Sequence, residues 1–309
     1  LVMHKKFSIA HWDSVTDSDM FLVAFENSSD EFKDEISDIY FGHNFKWDNG
    51  QYGNVMNCDA GNTQIDNLFY IQDTYGIPIS LTLNDTIPEK EFLLSEDVQD
   101  LFVEYLRKFY DRGLRICTIG DTHIINTGRL QYEFPEMRWK NTVNNLVRDA
   151  QGVIDYAMLG YDTVLINRNL HRDLPELKRI KKAVDWFNEK YPERRTLETS
   201  LLVSEGCILN CPWKATHDQH WGGGAYFSHF MDTCSAWRGN KDIHPEMPRN
   251  NPDAFWYDKE DWDAFAPYVN TFKYVGRTSR YPSVENPVIG WVKSPFAYTK
   301  KKINNQSIK

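Results

Sequence analysis

The chain has 309 residues, 41% of them hydrophobic, with 35 basic and 44 acidic side chains for a formal charge of −9. This length and apolar content supply a substantial core in one large domain or two ordinary ones, and the acidic balance argues against general nucleic-acid binding. No apolar run approaches the ~20 residues that span a bilayer, and the five cysteines (Cys58, Cys117, Cys207, Cys211 and Cys234) are too few, and odd in number, for a disulfide framework.

In chain order, the opening LVMHKKFSIAHWDSV has no apolar run or cleavage site of a signal peptide, so the expected compartment is the cytoplasm. KFSIAHW (6–12) is the first β candidate, and SSDEFKDEISDI then offers a serine cap followed by acids, which suits a helix start. IYFGH (39–43) is short, apolar and ends near glycine. The Asn-, Gly- and Asp-rich NFKWDNGQYGNVMNCDAGNTQ reads as a long loop. DNLFYIQDTYGI is helical in pattern and leads through Pro78 to ISLTLND (79–85).

SEDVQDLFVEYLRKFYDRG is the clearest helix. Ser95 caps it, acids fill its first turn, Gly113 ends it, and Val98, Leu101, Phe102, Tyr105 and Phe109 fall at helical spacing. RICTIGD (115–121) is a strand, WKNTVNNL (139–146) another, and RDAQGVIDYAMLG a helix. DTVLINRN (162–169) is strand-like, and DLPELKRIKKAVDWFNEK carries Leu174, Leu177, Ile180, Val184 and Phe187 on one face. TSLLVSEGC (199–207) and FKYVGR (272–277) complete eight strand candidates.

Eight strands alternating with helices predict a single α/β domain over 1–300, a TIM-type (β/α)8 barrel with loop insertions in its C-terminal third. The proline- and asparagine-rich stretch near 239–257 reads as an inserted loop, and 301–309 as a polar tail.

Chemistry in such barrels sits at the carboxyl ends of the strands. Those ends carry His11, Asp13, His43, Asn84, Asp85, Asp121, Asn144, Arg168 and Arg277, and the seventh strand runs straight into EGCILNCPWKATHDQHW, which begins at Glu205. Cys207 and Cys211 are separated by three residues, with His217 and His220 close behind. Thiolates suit zinc or iron–sulfur clusters. Cys207, Cys211 and Cys234 with His217 or His220 would make a Cys3His zinc set. A four-iron cluster commonly takes four cysteines, the fourth being Cys58 or Cys117 unless that iron stays open to substrate. Alternatively Cys207 and Cys211 are small buried core side chains. Cys117, mid-strand, fits a core role better than ligation. WGGGAY (221–226) is a weak anion-cradle signal, and the chain carries neither a Walker A sequence nor a dinucleotide fingerprint.

NRNLHRDLPELKRIKK, ETSLLVSEGCILNCPWKATH and FKYVGRTS, in this order and spacing, resemble the collagenase-like peptidase family U-32, in its distant TIM-barrel branch. IYFGH and YGIPISLTLND are similar to the first barrel strands of that family, so the resemblance spans most of 39–277. It implies a barrel fold. Some members are associated with peptidase activity, and others resemble hydroxylation factors that hold a four-iron cluster on four cysteines. Residue by residue, Cys207, Cys211 and Cys234 match family cysteines, and Arg277 matches the late arginine.

Three functions are open at this point. The first is a metal- or iron–sulfur-dependent enzyme, with His217 or His220 completing the centre or moving protons, and Arg168, Arg172 and Arg277 holding an anionic group beside Asn84. The second is a zinc- or cysteine-dependent hydrolase with Glu205 as base. The third is a non-catalytic partner in a modification complex, with a structural metal. The substrate is a small molecule, a peptide or an RNA-derived group, and no membrane partner is expected.

Overall fold

In the computed structural model, the structure describes residues 6–11, 18–28, 30–34, 36–54, 59–203, 266–274 and the short pieces 212, 288–289 and 292–293. The elements in order are β1 (Lys6–Ala10), α1 (Ser18–Glu26), α2 (Asp30–Asp34), β2 (Ile36–Gly42), β3 (Phe45–Trp47), β4 (Gly50–Tyr52), α3 (Asn62–Tyr75) and β5 (Ile79–Leu83). They continue with α4 (Lys90–Leu94), α5 (Glu96–Asp111), β6 (Ile116–Ile119), α6 (Thr122–Asn126), α7 (Arg129–Glu133), β7 (Arg138–Lys140), α8 (Ala150–Leu159), β8 (Thr163–Ile166), α9 (Leu174–Lys190), β9 (Glu198–Val203) and β10 (Thr271–Tyr274). The short strands β11 (Val288–Ile289) and β12 (Val292–Lys293) pair antiparallel.

Eight strands close a parallel barrel in the order β1-β10-β9-β8-β7-β6-β5-β2. All eight strand candidates of the sequence are in it. The helices between strands bury their apolar stripes on its outer wall. In α9 these are Leu177, Ile180, Val184 and Phe187. In α5 they are Val98, Phe102, Val103, Leu106 and Phe109, while Leu101, expected on that face, is 49% exposed. Ser95 caps α5 through the Val98 N–H at 3.3 Å. Among the described residues no helix is long and apolar enough to cross a membrane.

Three expectations are corrected. The Asn- and Gly-rich stretch expected as a loop contains the antiparallel hairpin β3–β4, closed at Asp48 and Asn49. Its Phe45 and Tyr52 are buried against Phe92 and Phe102, so packing on α4 and α5 overrides the loop-like composition. The fifth barrel strand is Arg138–Lys140 rather than 139–146. It stops because Thr142 Oγ1 accepts from Asn144 N–H and Asn145 Oδ1 accepts from Thr142 N–H, folding 143–145 into a 3-10 turn. The second strand begins at Ile36, three residues before the expected 39, which places Asp38 inside the sheet. The expected insert at 239–257 and the tail at 301–309 lie outside the described residues.

Candidate functional site

The register divides the barrel wall into two faces of opposite chemistry. Ile9, Ile39, Phe41, Ile79, Leu81, Leu83, Cys117, Ile119, Trp139, Val164, Ile166, Leu201 and Phe272 alternate onto the outer face and form one apolar cluster with the helices. The intervening residues point into the lumen: Ser8 pairs in register with Asp38, Tyr40 with Ser80, Thr82 with Thr118, Thr118 with Lys140, and Leu202 with Lys273. Barrels of this type usually fill the lumen with Val, Ile and Leu. Here it is filled largely by hydroxyls and charges.

Asp38 is the hub. Ser8 Oγ donates to its Oδ2 at 3.0 Å, Ser80 Oγ donates at 2.6 Å, and Lys140 Nζ, reaching across from β7, lies 3.2 and 3.1 Å from its two oxygens. Ser37 Oγ adds a bond to Oδ1 at 2.8 Å. The Asp38 side chain is 2% exposed and that of Lys140 9%. Burial by itself would raise the Asp38 pKa, but the Lys140 ammonium and the hydroxyls of Ser80 and Ser37 outweigh it and hold the carboxyl below its usual range. Ser8, Ser80, Lys140 and Ser200 come from alternate strands, the pattern in which such a barrel builds a four-residue layer. Above them Lys273 places its Nζ 4.1 Å from the centroid of the buried Tyr40 ring. At the amino-terminal end Arg138 Nη1 pairs with Glu198 Oε2 at 2.9 Å.

The carboxyl rim is built by close backbone approaches. Gly120 N–H donates to Leu83 O at 2.8 Å, and a Cβ at Gly120 would fall 2.3 Å from Asp85 O and 2.7 Å from Asn84 C, so only glycine lets the two strand ends meet. The Tyr52 hydroxyl, brought in by the hairpin, donates to Leu83 O at 3.3 Å and accepts from Asp121 N–H at 3.1 Å. Asp121 caps α6 through the Ile124 N–H at 2.7 Å. Burial raises the pKa of Asp121, and burial together with the Asp121 charge raises that of Asp85. The two neighbouring carboxyls therefore keep their protons to higher pH than ordinary ones.

Of the sequence-derived site residues, Asn84 stands at the end of β5 and the buried Arg168 follows β8, both on this rim. Arg172 ends the same 3-10 turn as Arg168. The rim histidines turn away from the lumen. His11 is 3% exposed with its ring 4.7 Å from Phe21 of α1, and burial pushes its pKa down to about 4. His43 stacks on Tyr105 of α5. The Tyr105 hydroxyl donates to His43 O at 3.0 Å and so accepts from Nδ1–H, which leaves the imidazole Nε2 4.0 Å from Asp59. Cys117 is buried on the outer face, and burial raises its thiol pKa, so it is a core side chain rather than a fourth ligand.

Glu205, Cys207, Cys211, His217, His220, Cys234 and Arg277 lie outside the described residues, as do Asp13 and Cys58. β9, whose last residue is Val203, delivers the chain to the carboxyl rim immediately before them. Among the described residues no group of three His, Cys, Asp or Glu side chains is placed to hold a metal. Asp38, Lys140, Tyr40 and Lys273 were missed by sequence reasoning. For Asp38 and Lys273 the signal was a charge inside a short β-like run, in ISDIYFG and TFKY, whereas Tyr40 and Lys140, the last residue of RWK, carried none.

No protein-family model matches the chain, and no curated protein matches it in sequence. Among solved structures, a U32 peptidase is 13% identical, with 89% of this chain and 93% of that one covered at a TM-score of 0.50. Amy13B of Eubacterium rectale is 9% identical, with 99% and 79% covered, also at 0.50. At such identities the likeness establishes a shared barrel fold.

Proposed function

We propose that the chain is a barrel enzyme whose reaction centre lies at the carboxyl rim, above the charged lumen, and depends on a metal or iron–sulfur centre. One observation carries this reading. The inner wall spends its burial on an ion pair and hydroxyls instead of aliphatic packing, and it opens on the rim where β9 hands over to the cysteine segment. Buried charge is a poor route to stability and a frequent mark of function.

Cys207, Cys211 and Cys234 would hold the centre, which supplies Lewis-acid or electron-transfer chemistry when bound. Glu205 and His217 or His220 would move protons, and Arg168, Arg172 and Arg277 with Asn84 would orient an anionic substrate at the rim. The U32 peptidase with the same fold makes peptides one substrate class to assay.

Metal analysis and a visible spectrum of protein purified without oxygen test this reading. About four irons per chain, with a broad absorbance that Cys207→Ser abolishes, would support the cluster enzyme. About one zinc and no colour would support zinc-dependent hydrolysis instead. Protein without metal, whose fold and activity ignore Cys207→Ser and Cys211→Ser, would overturn the proposal.

A further inference from the structure

Two helices of the outer ring carry exposed ridges of matching chemistry. On α5 the ridge is Asp97, Leu101 and Glu104, at helical spacing, with Leu101 49% exposed and both acids on the surface. On α9 it is Lys182, Trp186 and Lys190, each four residues from the next, with Trp186 47% exposed and both lysines on the surface. The Lys190 ammonium lies 5.3 Å from the centroid of the Trp186 ring, which holds a cation at that end of the ridge. Neighbouring charges are already matched: Asp100 pairs with Arg129, Arg179 with Glu176, and Lys181 with Asp185. Asp97, Glu104, Lys182 and Lys190 make no ion pair among the described residues.

One ridge reads acid, leucine, acid, and the other base, tryptophan, base. At the helical rise the two acids stand ~10 Å apart along the axis and the two lysines ~12 Å. Laid together, the apolar centres meet and both charges are matched at the ends. The ridges cannot meet within one chain, because the crossovers that carry α6–α7 and α8 stand between those of α5 and α9 around the barrel. A foreign basic partner would account for α5 alone, and an acidic one for α9 alone, whereas a second copy accounts for both. We propose that α5 of one copy docks on α9 of the next. Trp186 and Leu101 form the apolar centre of the contact, and the four charges fix which faces pair. The contact is heterologous, so copies join head to tail, in a ring where the rotation closes and in a filament where it does not. It is independent of the reading of the rim as a reaction centre.

Sedimentation velocity of the purified full chain, in reductant and over a concentration series, tests the contact. Reversible assembly beyond the monomer is expected. Glu104→Lys and Lys182→Glu should each weaken it about tenfold or more, and the chain carrying both changes should recover it. Added salt should weaken the wild-type assembly, whereas a purely apolar contact between chains of charge −9 would strengthen as salt screens their repulsion. Leu101→Asp and Trp186→Asp each spoil one ridge and leave the other intact. Each alone should be monomeric, and an equimolar mixture should give a dimer and nothing larger. All four side chains are on the surface, so the variants should keep the wild-type circular dichroism. A wild type that stays monomeric at every concentration, a double charge swap that fails to restore assembly, or a mixture that stays monomeric or grows past the dimer overturns the proposal.

Discussion

The two faces of the barrel wall are made from the same eight strands and obey different rules. On the outer face, Leu81, Cys117 and Trp139 lie side by side in register and are buried with side chains that ask only for volume. On the inner face, one residue away along the same strands, Thr82, Thr118 and Lys140 lie side by side and ask for partners. The outer face gains free energy from every apolar area it removes from water. The inner face must recover the cost of desolvating a carboxylate and two ammonium groups before it gains anything. Replacing a buried ion pair by aliphatic packing is often neutral or stabilising, and this is what supports the proposed reading of the inner face as serving binding or chemistry.

Breaking the inner face has the largest expected effect. Lys140→Met leaves Asp38 buried without its countercharge and is expected to cost ~3–5 kcal/mol in denaturant unfolding at neutral pH. The penalty also has a sign in pH. Asp38 has a folded pKa below its unfolded value, so the stability it contributes is present above about pH 4 and is lost as pH falls through the folded pKa. Without Lys140 the carboxyl is raised by its burial and takes up a proton more readily. The difference between variant and wild type should therefore shrink in acid. A penalty that stays constant from pH 7 to pH 3 would mean that the lysine stem, not its charge, is what the lumen needs.

The outer face is also the one that sequence reveals. The period of α9, with Leu177, Ile180, Val184 and Phe187, reports the helix and its buried side together. The serine cap and acidic first turn of α5 report where it starts. The inner face does alternate with the outer one, as in ISLTL, but a strand that alternates hydroxyls with apolar residues reads as one with a solvated side, not as the wall of a buried polar lumen. Asp38 was read as part of a helix because SSDEFKDEISDI carries helix-start chemistry, and only the register with Ser8 and the bond to Lys140, 102 residues away, identify it as a hub. Tyr52 was hidden in the same way, since its role at the Leu83 and Asp121 ends depends on a hairpin that composition disguises as a loop. The cysteine motif was legible as chemistry from its spacing, whereas its geometry lies outside the described residues.

His11 sharpens the comparison, because it is a titrating group that belongs to the outer face. Burial depresses its pKa from 6.5 to about 4, so the fold prefers the neutral ring. The stability tied to that preference is complete above pH 6.5 and is lost as pH falls from 6.5 toward 4, by up to about 3 kcal/mol. Asp85 and Asp121, whose pKa values are raised, act in the opposite direction over the lower part of that range. Comparing wild type with His11→Leu at pH 7.5 and pH 4.5 isolates the histidine. The variant should lose less stability than wild type over that interval, and an equal loss in both would show that the ring is not desolvated.

The smallest expected effect tests whether the outer face is as simple as its side chains suggest. Ile166 is fully buried in the outer cluster, one residue after the inward-facing Leu165. Ile166→Val removes one methylene from a packed site and should cost about 1 kcal/mol. That cost should be the same at pH 4.5 and pH 7.5 and at low and high salt, since no charge is touched. A pH- or salt-dependent penalty would mean that the two faces of the wall are mechanically coupled. The lumen would then have to be treated as a site tuned by the packing behind it, rather than as a polar interior carried by an independent apolar shell.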